Sequence, residues 1–95
     1  MHARVTTLSG PADNVDVGIE NFRTNVVPFT REEGKGAILL VNRDSGEAVS
    51  ITLWEDEEAM RASDESASAL RWSVADQMGA AQPTVARYEV AVFEL

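Results

Sequence analysis

Four short stretches of the chain have the alternating or continuous apolar patterns that are typical of β-strands. They span residues 4–8, 36–42, 47–54 and 85–93. Turn-forming residues separate the second stretch from the third and end at Gly46, which is free to take a positive φ. The pattern therefore predicts four strands, with a tight hairpin between the second and the third.

Two segments between the strands have the period of an amphipathic helix. In the first, apolar residues recur at spacings of four, three and four, so they share one side of a helix. These residues are Val15, Ile19, Phe22 and Val26. Pro28 has no backbone N–H to donate, so we expect a kink or an end of this helix near it. In the second segment Asp56 is the predicted N-cap, and the apolar stripe is formed by Ala67, Leu70, Val74 and Met78.

The resulting order is β-α-β-β-α-β, which is the split βαβ arrangement of a ferredoxin-like α+β domain. Right-handed crossovers place both helices on one face of an antiparallel four-stranded sheet. The chain has 95 residues, which is the size of one such domain, so we predict a single domain over residues 1–95.

Several strands carry apolar residues on both faces, although helices are expected to cover only one. The second strand has Ile38 and Leu40 on one face and Ala37, Leu39 and Val41 on the other, and the fourth has Val90 and Val92 opposite Ala91 and Phe93. The third strand alternates, with Val49, Ile51 and Leu53 on one face. A sheet with one face in water would show a polar face instead. The pattern therefore predicts a homodimer in which a second copy covers the bare face, forming a dimeric α/β barrel.

Composition excludes several classes of function. The chain has 16 acidic and 8 basic residues, a net charge of −8, so we expect no binding to nucleic acid or to acidic membranes. It has no cysteine, which excludes thiolate metal sites and cysteine nucleophiles. The acidic run at residues 55–58 is explained by a helix start, and we predict no metal site. No membrane segment or signal peptide is visible, and a cytoplasmic location is expected.

Two segments resemble the antibiotic-biosynthesis-monooxygenase-like domains of the dimeric α/β barrel superfamily. They are Gly-Ala-Ile-Leu-Leu-Val-Asn-Arg-Asp-Ser-Gly at 36–46 and Ser-Ile-Thr-Leu-Trp-Glu-Asp-Glu-Glu-Ala-Met at 50–60. In the latter, a strand that ends in Trp-Glu-x-x-Glu-Ala leads directly into the second helix, as it does in those domains. The segment Arg-Tyr-Glu-Val-Ala-Val-Phe at 87–93 is similar to their last strand.

The resemblance implies a protein that binds a small aromatic or polyketide-like molecule, with cofactor-independent monooxygenation of phenolic substrates as one activity. The aromatic residues expected to line a cleft between helices and sheet are Phe22, Phe29, Trp54, Trp72 and Tyr88. Haem-degrading relatives need a histidine on the second helix, and the single histidine here is His2, so no haem or other cofactor is expected. The alternative is a non-catalytic dimeric module for stress response or ligand binding, whose aromatic residues simply form the core.

Overall fold

The computed structural model describes residues 1–64 and 83–94. Its strands are β1 (His2–Ser9), β2 (Gly36–Val41), β3 (Glu47–Trp54) and β4 (Thr84–Glu89). Its helices are α1 (Val15–Asn21), α2 (Val27–Glu33) and α3 (Glu57–Ala62), with a 3-10 turn at Ala12–Asn14 and a π-helical turn at Phe22–Val26. The helical stripe predicted from Ala67 to Met78 lies outside the described residues.

The four strands form one antiparallel sheet in the order β2-β3-β1-β4. Because β1 lies between β3 and β4, the chain crosses from β1 to the far strand β2, returns through the hairpin to β3, and adds β4 on the other side of β1. This is the topology of the ferredoxin-like α+β fold, and the predicted fold class is confirmed.

Strand register divides the side chains of the sheet between two faces, because directly paired residues point to the same side. One face, which we call the covered face, lies under the helices: Leu8 and Ala48 form a buried cluster there with Phe22 and Val26 of the π-helical turn. The covered face consists of His2, Arg4, Thr6, Leu8, Ala37, Leu39, Val41, Ala48, Ser50, Thr52, Trp54, Val85, Arg87 and Glu89.

The opposite face, which we call the open face, carries one charged residue, Glu47, which lies at the end of β3 opposite Ser9. Its residues are Ala3, Val5, Thr7, Ser9, Gly36, Ile38, Leu40, Glu47, Val49, Ile51, Leu53, Thr84, Ala86 and Tyr88. On its two edge strands, the large side chains of Ile38, Leu40 and Tyr88 are 42%, 53% and 56% exposed. The expectation that the sheet is apolar on a side not covered by helices is therefore confirmed for the described residues.

The first helical segment passes through Pro28 without ending. Pro28 lies in the first turn of α2, directly after the π-helical turn, and has no backbone N–H to donate to that turn. The turn before it, Phe22–Val26, is wound as a π-helix, which relieves the crowding that a proline ring causes one turn earlier in an α-helix. The predicted disturbance near Pro28 is thus a change of helix type, and the helix continues to Glu33.

Two local predictions are confirmed by backbone geometry. Gly46 has φ of +79° and closes the β2–β3 hairpin, in which the Asn42 side-chain oxygen accepts from the amides of Asp44 and Ser45. Asp56 caps α3, accepting from the Ala59 amide at 2.7 Å. Both features depend on residues within a few positions of each other, and local sequence is sufficient to specify them.

The last strand is shorter than the prediction of residues 85–93, which is wrong at its C-terminal end. β4 pairs with β1 from Thr84 to Glu89, and one more hydrogen bond joins the Val90 amide to the Met1 carbonyl. Val92 and Phe93 follow this paired segment and are 79% and 54% exposed.

Within the part of the chain that the structure describes, no helix is long and apolar enough to cross a membrane. The cytoplasmic location stays a prediction.

Candidate ligand-binding site

The space between the helices and the sheet contains more polar groups than the core of a small domain usually does. Thr6 and Thr52 are buried on the covered face, while Asn21 and Thr30 are buried on the helices above it. The apolar side of β3, with Val49, Ile51 and Leu53, faces away from the helices. Buried polar groups require hydrogen-bond partners, and the pattern of those partners defines the site.

Arg4 lies at the centre of the polar region. It is 2% exposed, and one of its guanidinium nitrogens donates to the Met60 carbonyl at 2.7 Å and to the Ser63 hydroxyl at 3.1 Å. The same nitrogen is 2.5 Å from a carboxylate oxygen of Asp64, whose other oxygen accepts from Arg87 at 3.1 Å. Arg4 and Arg87 are direct cross-strand partners, so Asp64 bridges two arginines that would otherwise repel each other.

The pKa values of this ion cluster follow from its geometry. Burial lowers the pKa of Arg4, and its contact with Asp64 opposes that effect, so the guanidinium remains charged. Partial burial by itself raises the pKa of Asp64, but the hydrogen bonds from Arg87 and Arg4 outweigh it and hold the pKa below its usual range. The cluster therefore fastens the end of α3 to β1 and β4 through charged hydrogen bonds.

Trp54 fills the junction between β3 and the helices and is fully buried. Its ring meets Phe29 edge-on with centroids 5.9 Å apart, and the Arg4 guanidinium carbon lies 5.2 Å from the ring centroid. The indole N–H donates to the Thr52 hydroxyl at 3.0 Å. These contacts occupy both the apolar surface and the polar group of the side chain, which makes Trp54 a structural support for the neighbouring strands.

A cleft of about 240 Å³ lies between the first helical segment and the edge strand β2. Its helical wall comes from α1, the π-helical turn and the start of α2, and its floor is the covered face of β2. Phe22 contributes an aromatic ring and Arg23 the one charged side chain of the lining. The lining residues are Ile19, Phe22, Arg23, Val27, Leu39 and Val41.

The π-helical turn shapes this cleft. A π-turn inserts an additional residue into the helix, so side chains five positions apart are brought to the same side. Phe22 and Val27 are separated by five positions and both line the cleft. Just before the turn, Asn21 is 5% exposed; its side-chain oxygen accepts from Asn25 at 3.1 Å, and its amide nitrogen has no partner among the described residues. Single π-turns in α-helices occur frequently at functional sites.

The structure brings only some of the predicted aromatic residues together. Phe29 and Trp54 are in contact under the helices, and Phe22 lines the cleft. Tyr88 points to the open face, on the other side of the sheet from Trp54, because Tyr88 pairs with Ala3 while Trp54 pairs with His2. Trp72 lies outside the described residues.

Several residues of the site were missed by sequence reasoning. Arg23 follows Phe22 directly and lies outside the predicted apolar stripe, and Val27 also falls outside a stripe with α-helical spacing. Pro28 was the available signal, since a proline inside a helical pattern favours a π-turn before it. Arg4, the first residue of the predicted first strand, was the other signal, because it is a charged side chain next to a β-branched run. Among the described residues, no three His, Asp or Glu side chains are placed to hold a metal ion.

Comparison with curated proteins finds relatives of unknown function. Uncharacterized protein Rv2557 of Mycobacterium tuberculosis is 34% identical over 93 residues, covering 96% of this chain and 41% of the relative. Uncharacterized protein Rv2558 of the same organism is 41% identical over 73 residues, covering 75% of this chain and 31% of the relative. The chain thus spans less than half the length of these relatives. No family model matches it.

Comparison with solved structures identifies the fold. A monooxygenase of Streptomyces coelicolor, solved in complex with the ligand nanaomycin D, superposes with a TM-score of 0.75 at 21% identity and covers 99% of this chain and 90% of its own. An antibiotic biosynthesis monooxygenase superposes with a TM-score of 0.67 at 19% identity, covering 97% of this chain and all of its own. At these identities the likeness shows that the chain shares the fold of these monooxygenases. The resemblance in the sequence is confirmed at that level.

Proposed function

We propose that this chain binds a small aromatic molecule in the cleft between the π-helical turn and β2. The observation that carries the proposal is the cleft itself, in which an aromatic ring, four aliphatic side chains and one cation converge. A cavity of 150 Å³ is known to hold benzene, so about 240 Å³ accommodates one or two fused rings. The bound nanaomycin D of the Streptomyces coelicolor structure supports aromatic or polyketide-like ligands as the class to test.

The test is a titration of the 15N-labelled chain with 2-naphthol, followed by NMR. We expect the amide signals of Leu39 and Val41 to shift, with a dissociation constant on the order of 0.1–1 mM for a ligand of about eleven heavy atoms. Leu39→Trp fills the cleft with an indole and should abolish the shifts. The matched control is Val17→Trp, which adds the same ring on the exposed outer side of α1.

Two results would contradict the proposal. One is the absence of any shift at the cleft across the titration. The other is equal binding by the parent chain and Leu39→Trp, provided that both variants have the parent's spectrum elsewhere. The second result would show that 2-naphthol binds at a different place.

Cofactor-independent oxygenation is a second candidate function, and the buried amide of Asn21 favours it. In such a reaction a phenol and O2 give a quinone and water, so the phenol supplies all four electrons and no cofactor is required. An unpaired amide N–H beside the π-helical turn is the kind of donor that stabilises a developing negative charge on oxygen. Oxygen consumption with hydroxynaphthalenes tests it: turnover that falls in Asn21→Ala and persists in Asn25→Ala supports an enzyme. Binding without oxygen uptake supports the non-catalytic alternative.

We further propose that two copies of the chain associate through their open faces. The proposal rests on the scarcity of charge on that face, where Glu47 at the end of β3 is the one charged residue among fourteen, and on the exposure of Ile38, Leu40 and Tyr88 at its surface. In a chain with a net charge of −8, like-charge repulsion between copies is weaker across such a face than across a surface rich in carboxylates. A two-fold pairing matches such a face with itself.

Sedimentation at micromolar concentration measures this association. The parent chain should sediment as a dimer and Leu40→Glu as a monomer, because the carboxylate would be buried without a partner. Val17→Glu introduces the same charge on the outer side of α1 and should remain dimeric. A monomeric parent chain under these conditions would refute the proposed dimer.

A further inference from the structure

The residues that line the cleft are apolar with one charged exception. Five of its six residues are apolar, and the sixth, Arg23, places a guanidinium at the cleft. Arg23 is 72% exposed, so its charge lies toward solvent while the apolar side chains form the interior. A ligand that fills the apolar part therefore meets a cation where it emerges.

The acidic side chains near the cleft do not neutralise the charge of Arg23. The nearest acidic partner is Glu20, whose carboxylate lies 3.6 Å from Arg23, and both side chains are about 70% exposed. Surface pairs of this kind contribute little, so Arg23 is available to a second partner. Asp16, one turn earlier in α1, is paired with Arg43 of the hairpin at 3.1 Å. Asp16 is thus engaged by Arg43, and Arg23 is the one charged residue among those that line the cleft.

We propose that the ligand of the cleft is an aromatic carboxylate, whose ring or fused rings occupy the apolar part and whose carboxylate group pairs with Arg23. This inference rests on the proposed ligand binding and names its chemical class. Guanidinium groups bind carboxylates through charged hydrogen bonds. Arg23 also opposes the repulsion that a chain of net charge −8 exerts on any anion.

The experiment compares two probes of the same shape, 2-naphthoate and its neutral amide 2-naphthamide, at pH 7.5 by NMR titration of the Leu39 and Val41 amides. We expect the anion to bind about fivefold more tightly, which corresponds to the upper range of a solvent-exposed ion pair. Arg23→Gln should remove that preference and leave the affinity for the amide unchanged. Raising the salt concentration should weaken binding of the anion alone.

Two variants serve as controls for charge. Arg31→Gln, on the exposed surface of α2, makes the same change in net charge away from the cleft and should retain the fivefold preference. Glu20→Gln removes the competing carboxylate and should increase the affinity for 2-naphthoate without affecting the amide. Loss of the preference in Arg31→Gln would indicate an effect of overall charge and would overturn the role of Arg23.

The outcomes distinguish failure of this inference from failure of the proposed aromatic binding. Equal binding of both probes at the cleft overturns the anionic class but leaves aromatic binding in place. Failure of both probes to shift the cleft amides overturns aromatic binding, and the anionic class with it. Tighter binding of 2-naphthoate that is lost in Arg23→Gln alone supports both.

Discussion

Replacing Arg4 perturbs the one cation that is buried among the described residues, and its effect on stability follows from its contacts. Arg4→Ala removes the hydrogen bonds to Met60, Ser63 and Asp64 together with the guanidinium beside Trp54. Arg4→Met removes the same polar contacts but retains an unbranched apolar side chain of similar length. Comparison of the two variants separates loss of the charged hydrogen bonds from loss of packing.

The magnitude is set by what remains after the substitution. Breaking a buried ion pair costs about 3–5 kcal/mol. We expect the lower end for Arg4→Ala, about 3 kcal/mol, because Asp64 is 36% exposed and keeps Arg87 at 3.1 Å. The Met60 carbonyl also keeps a donor, the Ser63 hydroxyl at 2.7 Å. Arg4→Met should cost about 1–2 kcal/mol, since its side chain fills most of the space and no buried charge is left alone.

The assay is urea unfolding at pH 7 followed by tryptophan fluorescence, with all variants at one protein concentration because association adds to apparent stability. The control is Arg61→Ala, which removes an exposed ion pair with Glu57 on α3 and should lower the free energy of unfolding by no more than about 0.5 kcal/mol. If Arg4→Ala and Arg4→Met both unfold within about 0.5 kcal/mol of the parent chain, the ion cluster does not stabilise α3 against the sheet.

Three further predictions concern stability. Because the pKa of Asp64 is lowered in the native chain, the stabilisation from its charge is present above the unfolded-state pKa of about 3.9 and is lost as the pH falls through the native value. The difference in urea stability between the parent chain and Asp64→Asn should therefore shrink below about pH 4, and a constant difference would contradict the linkage. Gly46→Ala should lower the melting temperature far more than Gly36→Ala. A Cβ at Gly46 would lie 2.0 Å from the Gly10 carbonyl oxygen, whereas nothing lies within 4 Å of a Cβ at Gly36. Equal losses in melting temperature would show that the positive φ, and not the steric contact, determines the destabilisation. Asp56→Ala should lower the free energy of unfolding by about 1 kcal/mol through loss of the α3 cap, and Asp56→Asn should restore most of it in the same urea assay.

The aromatic residues show where sequence reasoning about the site stopped. Phe22 belongs to the apolar stripe of the first helix, and its place under the helices follows from that period alone. Whether Tyr88 shares a face with Trp54 depends on the pairing register of β4 with β1, and a shift of one residue would have put it there. The pattern of β4 alternates Ala86 and Tyr88 with Arg87 and Glu89, but it does not say which of the two faces lies under the helices, so the sequence could not exclude Tyr88 from the cleft.

The sequence by itself determined the features that depend on near neighbours: the order of strands and helices, the turn at Gly46, the cap at Asp56 and the alternation of β3. Their physical causes act over a few residues, through backbone sterics, orphan amides and side-chain period. The tertiary structure decided which face of β3 lies under the helices, and it is the one with Ser50, Thr52 and Trp54. It also joined Arg4 to Asp64, sixty residues away, and set Arg23 at the cleft. Those relations arise from packing between distant segments, where the free energy of the whole fold, and not the preference of any one segment, selects the arrangement.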